Sequence, residues 1–369
     1  MFSYILKRLA LIPVTILAIM ITNFAFVQLA PGGPIENIAA KLQGLNTDAT
    51  SRISGSAAGA SEGKSDLNRN TAVRKETPKY RGTQGLDPDL IRSLEKQFGF
   101  DQPMGTRFLK MIKNYLTFDF GKSFYRDEKV IDIIASKLPV SMSLGIFSTL
   151  IIYLVAIPLG IKKAVTDGSR FDTVSSYFII IGYAIPAFLF AIFLIIIFCG
   201  GKYFGLFPLR GLVSDNWHEL SFIGKITDYL WHLCLPVTAM VIGGFASLTM
   251  LTKNSFLEER GKQYVLTARA KGCSEKRVLY KHVFRNAMLI VIAGFPSALV
   301  NMLFTGSVLI EVIFSLDGLG LLGFEAVVNR DYPIMFATLY IFGLLGLVLN
   351  IISDLTYHLV DPRIDFKAR

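Results

Sequence analysis

Long apolar runs, separated by short polar stretches, dominate the chain. Six runs are nearly free of charge and reach the roughly 20 residues that a helix needs to cross a hydrocarbon core of about 30 Å. They fall near 9–30, 139–161, 174–198, 232–252, 287–309 and 335–357. Between the first and second runs the pattern changes twice. Residues 44–85 are rich in Ser, Gly, Ala and charge and nearly devoid of aromatics, which predicts a flexible insertion that cannot bury enough apolar surface to order itself. From 86 to 138 helical spacing returns, with Leu90, Leu94 and Phe98 on one face and Phe108, Ile112 and Tyr115 on another. The expectation is an all-α integral membrane protein with six spans. Its parts are a first segment 1–30, a large loop 31–138 holding the insertion, and a core 139–369.

Composition agrees, since 52% of the 369 residues are hydrophobic and 29 are Phe, too apolar for a polar exterior. Charge then orients the spans. Lys7 and Arg8 precede the first; Lys162, Lys163 and Arg170 lie between the second and third; nine Lys/Arg from Lys253 to Arg285 separate the fourth and fifth. Arg363, Lys367 and Arg369 follow the last, and the short loops of the other side hold only Lys202, Arg210, Lys225 and Arg330. Basic residues stay on the cytoplasmic side of short loops, so both termini are expected there. The net charge of +10 is then mainly an orientation signal, with no stacking platform for nucleic acid around it. A cleaved signal peptide is disfavoured, because the first run is about 20 residues rather than the usual 7 to 15 and no small-x-small site precedes "QLAPGGP".

Candidate chemistry is sparse. Ala58 to Ser65 satisfies the loosened P-loop pattern, with Gly63, Lys64 and Ser65 in order. A P-loop needs a buried strand before it and a helix after it, and nothing before Ala58 reads as a strand. The expected orientation also puts this segment where ATP is absent. Cys199, Cys234 and Cys273 have no metal or disulfide spacing, and His218, His232, His282 and His358 are scattered. No catalytic constellation or metal site is expected, and Asp354, an acid near the end of the last span, suits a structural partner or a headgroup better than a proton relay.

The longest cytoplasmic loop, 253–286, breaks at Gly272 and Ser274 into two helical pieces, with Ser274 as an N-cap. Val278, Leu279, Val283 and Phe284 form an apolar stripe beside a basic one of Arg277, Lys281 and Arg285. Tyr264, Ala268 and Gly272 recur every four residues, a small-residue face that a partner's groove could approach. On spacing alone, that docking reading and a helix resting on headgroups are even.

At "YVLTARAKG" the chain resembles the permease subunits of bacterial ATP-binding-cassette importers. Their signature is Glu-Ala-Ala, three residues, Gly; Ala268 and Gly272 stand in register, with Leu266 and Thr267 replacing Glu and the first Ala as in the peptide-importing branch. The resemblance extends through "FGFDQP", "FDFGKSF", "LPVSMSLG", "AIPLGIKKA", "GSVLIEVIFSLDGLGLLGFEAVVNRDYP" and "LVDPRIDF", covering nearly all but 44–85. It is similar to the oligopeptide and dipeptide permease B group, and Asp317 with the long insertion resembles the Yej-type subgroup of peptide and microcin C importers. The resemblance implies the type I importer permease fold in the inner membrane. It makes the loop a coupling helix, carried here by Tyr264, Thr267, Ala268, Arg269, Ala270, Lys271, Gly272, Ser274 and Arg277. It implies no cofactor on this chain, with ATP and Mg held by a separate ATPase subunit. Further implied partners are a second permease, a periplasmic peptide-binding protein and lipid.

For the pathway, Pro158, Pro186, Pro236 and Pro296 sit in or at the ends of spans, and Gly243, Gly244, Ser247 and Thr249 suit helix packing. Asn301, Thr305 and Ser307 are pathway candidates. Asp317, Gly318 and Gly320 belong to a glycine-rich segment expected to make a tight re-entrant turn at an outer gate. Two other function classes stay open on residues alone: an ion-gradient transporter or channel, for which neither paired intramembrane charges nor inverted repeats are seen, and an intramembrane hydrolase, which lacks a nucleophile and base.

Overall fold

The structure is a computed structural model that describes residues 2–29, 89, 101–199, 203–304 and 308–360. The P-loop match, the insertion 44–85, Leu90, Leu94, Phe98, Thr305 and Ser307 lie outside the described residues. The described helices, numbered in chain order, are α1 (Phe2–Leu29), α2 (Met104–Leu116), α3 (Val130–Val165), α4 (Arg170–Ala184), α5 (Ala187–Phe198) and α6 (Phe222–Arg260). There follow α7 (Gln263–Ala270), α8 (Glu275–Arg277), a π-helical turn (Val278–Val283), α9 (Phe284–Phe304), α10 (Val308–Ile313), α11 (Leu319–Asn329) and α12 (Tyr332–Val360).

Among the described residues, five helices are long and apolar enough to cross a membrane, and a sixth span results if α4 and α5 count as one. The predicted third span is in fact bent by 96° between these two helices. The cause is local: Pro186 holds φ at −57° and restricts the residue before it, so Ile185 is extended at ψ 119° and α4 cannot continue. Pro139, Pro158, Pro236 and Pro296 are instead accommodated inside helices.

The chain divides into two compact units. One comprises 1–13, 137–321 and 344–369. It has two apolar cores. The first joins Ala156 and Ala164 of α3, Phe256 of α6, Val265 and Ala268 of α7, and Val278, Val283 and Ala287 beyond. The second joins Leu144, Leu194, Leu233, Val237, Ile310 and Phe314. Helices α3 and α6 pack at Gly160, where a Cβ would lie 2.7 Å from the Thr249 carbonyl oxygen and from Thr252 Cβ, so only glycine permits the approach. Of the structural partner or headgroup contact expected for Asp354, the structure shows a partner, an ion pair of 2.8 Å with Arg8.

The other unit comprises 14–136 and 322–343. In it Tyr115 of α2 meets Phe120 and Tyr340 edge-on, with centroids 4.9 and 5.4 Å away, and the predicted face of Phe108, Ile112 and Tyr115 is the covered one. A short hairpin follows, closed by the Lys122–Lys129 bridge and by the left-handed Asp127. Asp331 accepts hydrogen bonds there from the Ser123 hydroxyl and the Phe124 N–H, and Arg126 pairs with Glu325 at 3.0 Å.

Candidate functional site

The loop after α6 is the first site. Helix α6 continues to Arg260, eight residues into the stretch predicted as loop, so the loop proper begins at Gly261. Gly272 has φ +81°, as its position between two helical pieces predicts, and Ser274 is extended ahead of α8 but makes no side-chain cap bond. The reversal also closes an ion pair across it: Arg269 of α7 binds Glu275 of α8 at 2.8 Å.

The small-residue face is divided: Ala268 turns inward and Tyr264 is half-buried, whereas Gly272 is exposed, so only its Gly272 end is open to a partner. Ala268 is buried with Val265 against Val278 and Val283, and the Tyr264 hydroxyl donates to Glu259 at 2.6 Å. Burial, and then this bond, pushes the Tyr264 hydroxyl pKa up. The π-helical turn explains how Val278 and Val283, five residues apart, share one buried face: five residues on an α-helix reach nearly opposite sides, whereas a turn closed at i+5 realigns them. Leu279 and Phe284, the rest of the apolar stripe, pack partly buried against the same core. What faces out is Thr267, Ala270, Lys271, Gly272, Ser274 and Arg277, together with two large apolar side chains, Leu266 at 57% and Tyr280 at 62% exposure. Sequence reading passed over both because it took Leu266 only as a replacement within a motif.

The second site surrounds the glycine-rich segment. Here the expected tight turn is made differently. Ser315 has φ 52° and reverses the chain after α10, whereas Gly320 and Gly323 lie inside α11. Gly318 is required for a close approach: a Cβ would sit 2.5–2.7 Å from the carboxylate atoms of Glu311. Glu311 was not singled out by sequence, since one acid beside an apolar run gives no periodic signal. It is fully buried, accepts the Leu321 N–H at 2.6 Å and the Gly320 N–H, and so caps the start of α11. Ser141 of α3 accepts the Leu319 N–H at 2.8 Å, and the exposed Asp317 pairs with Lys137 of α3. The structure thus brings Asp317, Gly318 and Gly320 together at one end of α3. Asn301 is in α9, and its side chain is outside the described set.

Among the described residues no group of His, Cys, Asp or Glu is arranged to hold a metal ion, and the three cysteines are unpaired.

Residues 156–366 match the family described as "Binding-protein-dependent transport system inner membrane component". Over 367 residues the chain is 59% identical to the inner membrane ABC transporter permease protein YejB of Escherichia coli O157:H7, covering 100% of both. It is 58% identical to the peptidoglycan transport system permease protein YejB of Agrobacterium fabrum, covering 100% of this chain and 99% of that one. The oligopeptide transport system permease protein AppB of Bacillus subtilis is 34% identical over 80% of this chain and 92% of its own length. A chain of the MetNI methionine ABC transporter in inward-facing conformations is 14% identical with a TM-score of 0.47, over 62% of this chain and 97% of that one. With its apolar helices, its reversed loop at Gly272 and full-length identity to such permeases, the chain belongs to the inner membrane permease family of ATP-binding-cassette transporters.

Proposed function

We propose that this chain is the permease subunit through which an importer moves peptides or peptide-like compounds, including compounds of the microcin C kind, into the cytoplasm. ATP is hydrolysed on a separate subunit that also holds the Mg, and the chain itself binds no cofactor. The reading takes α4 and α5 as one broken span, giving six in the type I arrangement, with both termini and the α7–α8 loop cytoplasmic and residues 31–138 periplasmic. A second, similar permease completes the pathway, because six spans are few for enclosing a peptide, and a periplasmic binding protein delivers the substrate. The peptide class follows from the oligopeptide relative, and membership in the family leaves the ion-gradient alternative without support.

The observation that carries the reading is the two-faced loop. Its inner face is fixed by burial of Val265, Ala268, Val278 and Val283, while Leu266 and Tyr280 stand bare ahead of the apolar run that begins near 287, in a stretch that also exposes Lys271 and Arg277. Exposed apolar side chains ringed by charge on a rigid element mark a surface for a protein partner. Gly272→Glu tests it. The left-handed φ costs any side chain about 1 kcal/mol, and a carboxylate desolvated at the ATPase contact costs several kcal/mol more. The variant is expected to insert normally and to lose both ATPase binding on purification and peptide uptake. Retention of the ATPase with normal uptake would make this loop a plain surface helix.

A further inference from the structure

The ends of α3, α4 and α6 meet in a buried set of charges that lies outside the loop motif 264–272. Lys163, in the last turn of α3, is completely buried. Its ammonium lies 2.9 Å from Asp172 Oδ1 and donates to the Asp172 carbonyl, Ser175 Oγ and Ser176 Oγ at 2.7–2.8 Å, all in the first two turns of α4. The second oxygen of Asp172 accepts from Lys253 of α6 at 2.7 Å, and Lys253 also pairs with Asp167 at 2.8 Å. Two lysines and two carboxylates therefore balance across three helices. Two turns further along α6, Arg260 donates to the Ala164 carbonyl at 2.5 Å and so covers the free C-terminal end of α3.

The same end of α6 is fastened to the loop that follows. Glu259 binds both Lys262 and the Tyr264 hydroxyl, and Ser255 donates to the Ala287 carbonyl of α9 at 2.7 Å. Helix α7 is thus bonded to the last turns of α6, and those turns to the α3–α4 corner. Buried ion pairs add little net stability over apolar packing of the same volume, because desolvation offsets their attraction. What they provide is a fixed register: apolar surfaces slide over one another, whereas a buried cation pulled from its only carboxylate is strongly penalised. That contrast assigns the charges to mechanical coupling rather than to holding the fold.

We propose that the Lys163–Asp172–Lys253 triad, with Arg260 on the α3 carbonyls, is the joint that passes displacement of the α7–α8 loop into α3 and α4. It thereby sets how much uptake each ATP turnover yields. The inference rests on the importer reading above, and Lys253 is a positioning residue, placed on α6 ahead of the loop.

The test uses the whole importer, this chain with its ATPase subunits and binding protein, in proteoliposomes, with uptake of a labelled tripeptide and ATP hydrolysis measured together. Lys253→Met keeps the stem and removes the charge. It is expected to leave the ATPase subunit bound and hydrolysing while uptake per ATP falls about five- to tenfold, the lower part of the usual range of a coupling between distant sites. Lys253→Arg, which can span Asp167 and Asp172 again, is expected to restore most of the ratio. An unchanged ratio in Lys253→Met overturns the joint, as does a loss that Lys253→Arg fails to rescue. If Lys253→Met does not assemble, Asp167→Asn serves in its place: this half-exposed acid leaves Asp172 intact, and a smaller fall in the ratio is expected, with no fall overturning the proposal. Failure of the unsubstituted chain to recover any ATPase subunit would instead overturn the importer reading itself.

Discussion

Two glycines that look alike in sequence are required for different reasons, and substitution separates them. Around Gly272 there is open space and φ is +81°, so Gly272→Ala is expected to cost only the backbone strain of about 1 kcal/mol in thermal unfolding in detergent. Gly318 has an ordinary φ, but its Cβ position is occupied by the Glu311 carboxylate, so Gly318→Ala is expected to cost about 1–3 kcal/mol as an overpacked site. Combining it with Glu311→Ala makes room, and the second cost is expected to shrink in that background; strict additivity would show that the two residues do not meet. Glu311 also carries a pH signature. Burial pushes its carboxyl pKa up, more than the donors at Leu321, Gly320 and Ser141 pull it down. A carboxyl whose folded value lies above its unfolded one stabilises fully at pH below the ordinary carboxylate range. That contribution is lost as pH rises through the raised value. Unfolding midpoints are therefore expected to decline over that interval, and Glu311→Gln is expected to flatten the decline.

At the scale of elements, the π-helical turn decides what the loop shows to a partner. Val278→Ala and Val283→Ala each empty part of one core and are expected to cost about 2 kcal/mol in unfolding experiments. Tyr280 lies between them in sequence but on the outside, so Tyr280→Ala is expected to change stability by under about 0.5 kcal/mol while weakening recovery of the ATPase subunit. Equal destabilisation by all three would mean that the turn does not sort them. These elements also show what was legible beforehand. Spans were read because a long uncharged run can do little else than cross a bilayer or fill a core, and five of the six predicted positions hold a continuous long helix. The bend at Pro186 was not read, since Pro158 and Pro236 sit inside helices and only context separates them from Pro186. The register of the loop was misread at Ala268, because spacing says which residues share a face but not which way that face turns. Lys163 was read only as an orienting loop charge for a related reason: a lysine at the end of an apolar run resembles a headgroup anchor until the carboxylate of Asp172, nine residues on, is brought against it.

For the whole molecule, the division of labour is written in charge and in length. The nine basic residues from Lys253 to Arg285 lie on the side to which the proposed orientation assigns the ATPase, and the glycine-rich P-loop match lies between the first and second spans, on the other. Both placements follow from one rule, so one experiment tests them together. A phosphate cradle depends on consecutive backbone N–H groups held by a strand and a helix, with the lysine completing the site. Nothing before Ala58 alternates as a strand would, and Ser, Gly and Ala crowd the segment, so the order Gly63-Lys64-Ser65 is expected from composition alone. Lys64→Ala in the assembled importer should then leave both ATP hydrolysis and peptide uptake at the unsubstituted rates, whereas the same change in a working P-loop abolishes turnover. Loss of hydrolysis in Lys64→Ala would overturn the orientation and return the ATPase to this chain; a fall in uptake with hydrolysis intact would instead place the 44–85 insertion at the contact with the binding protein.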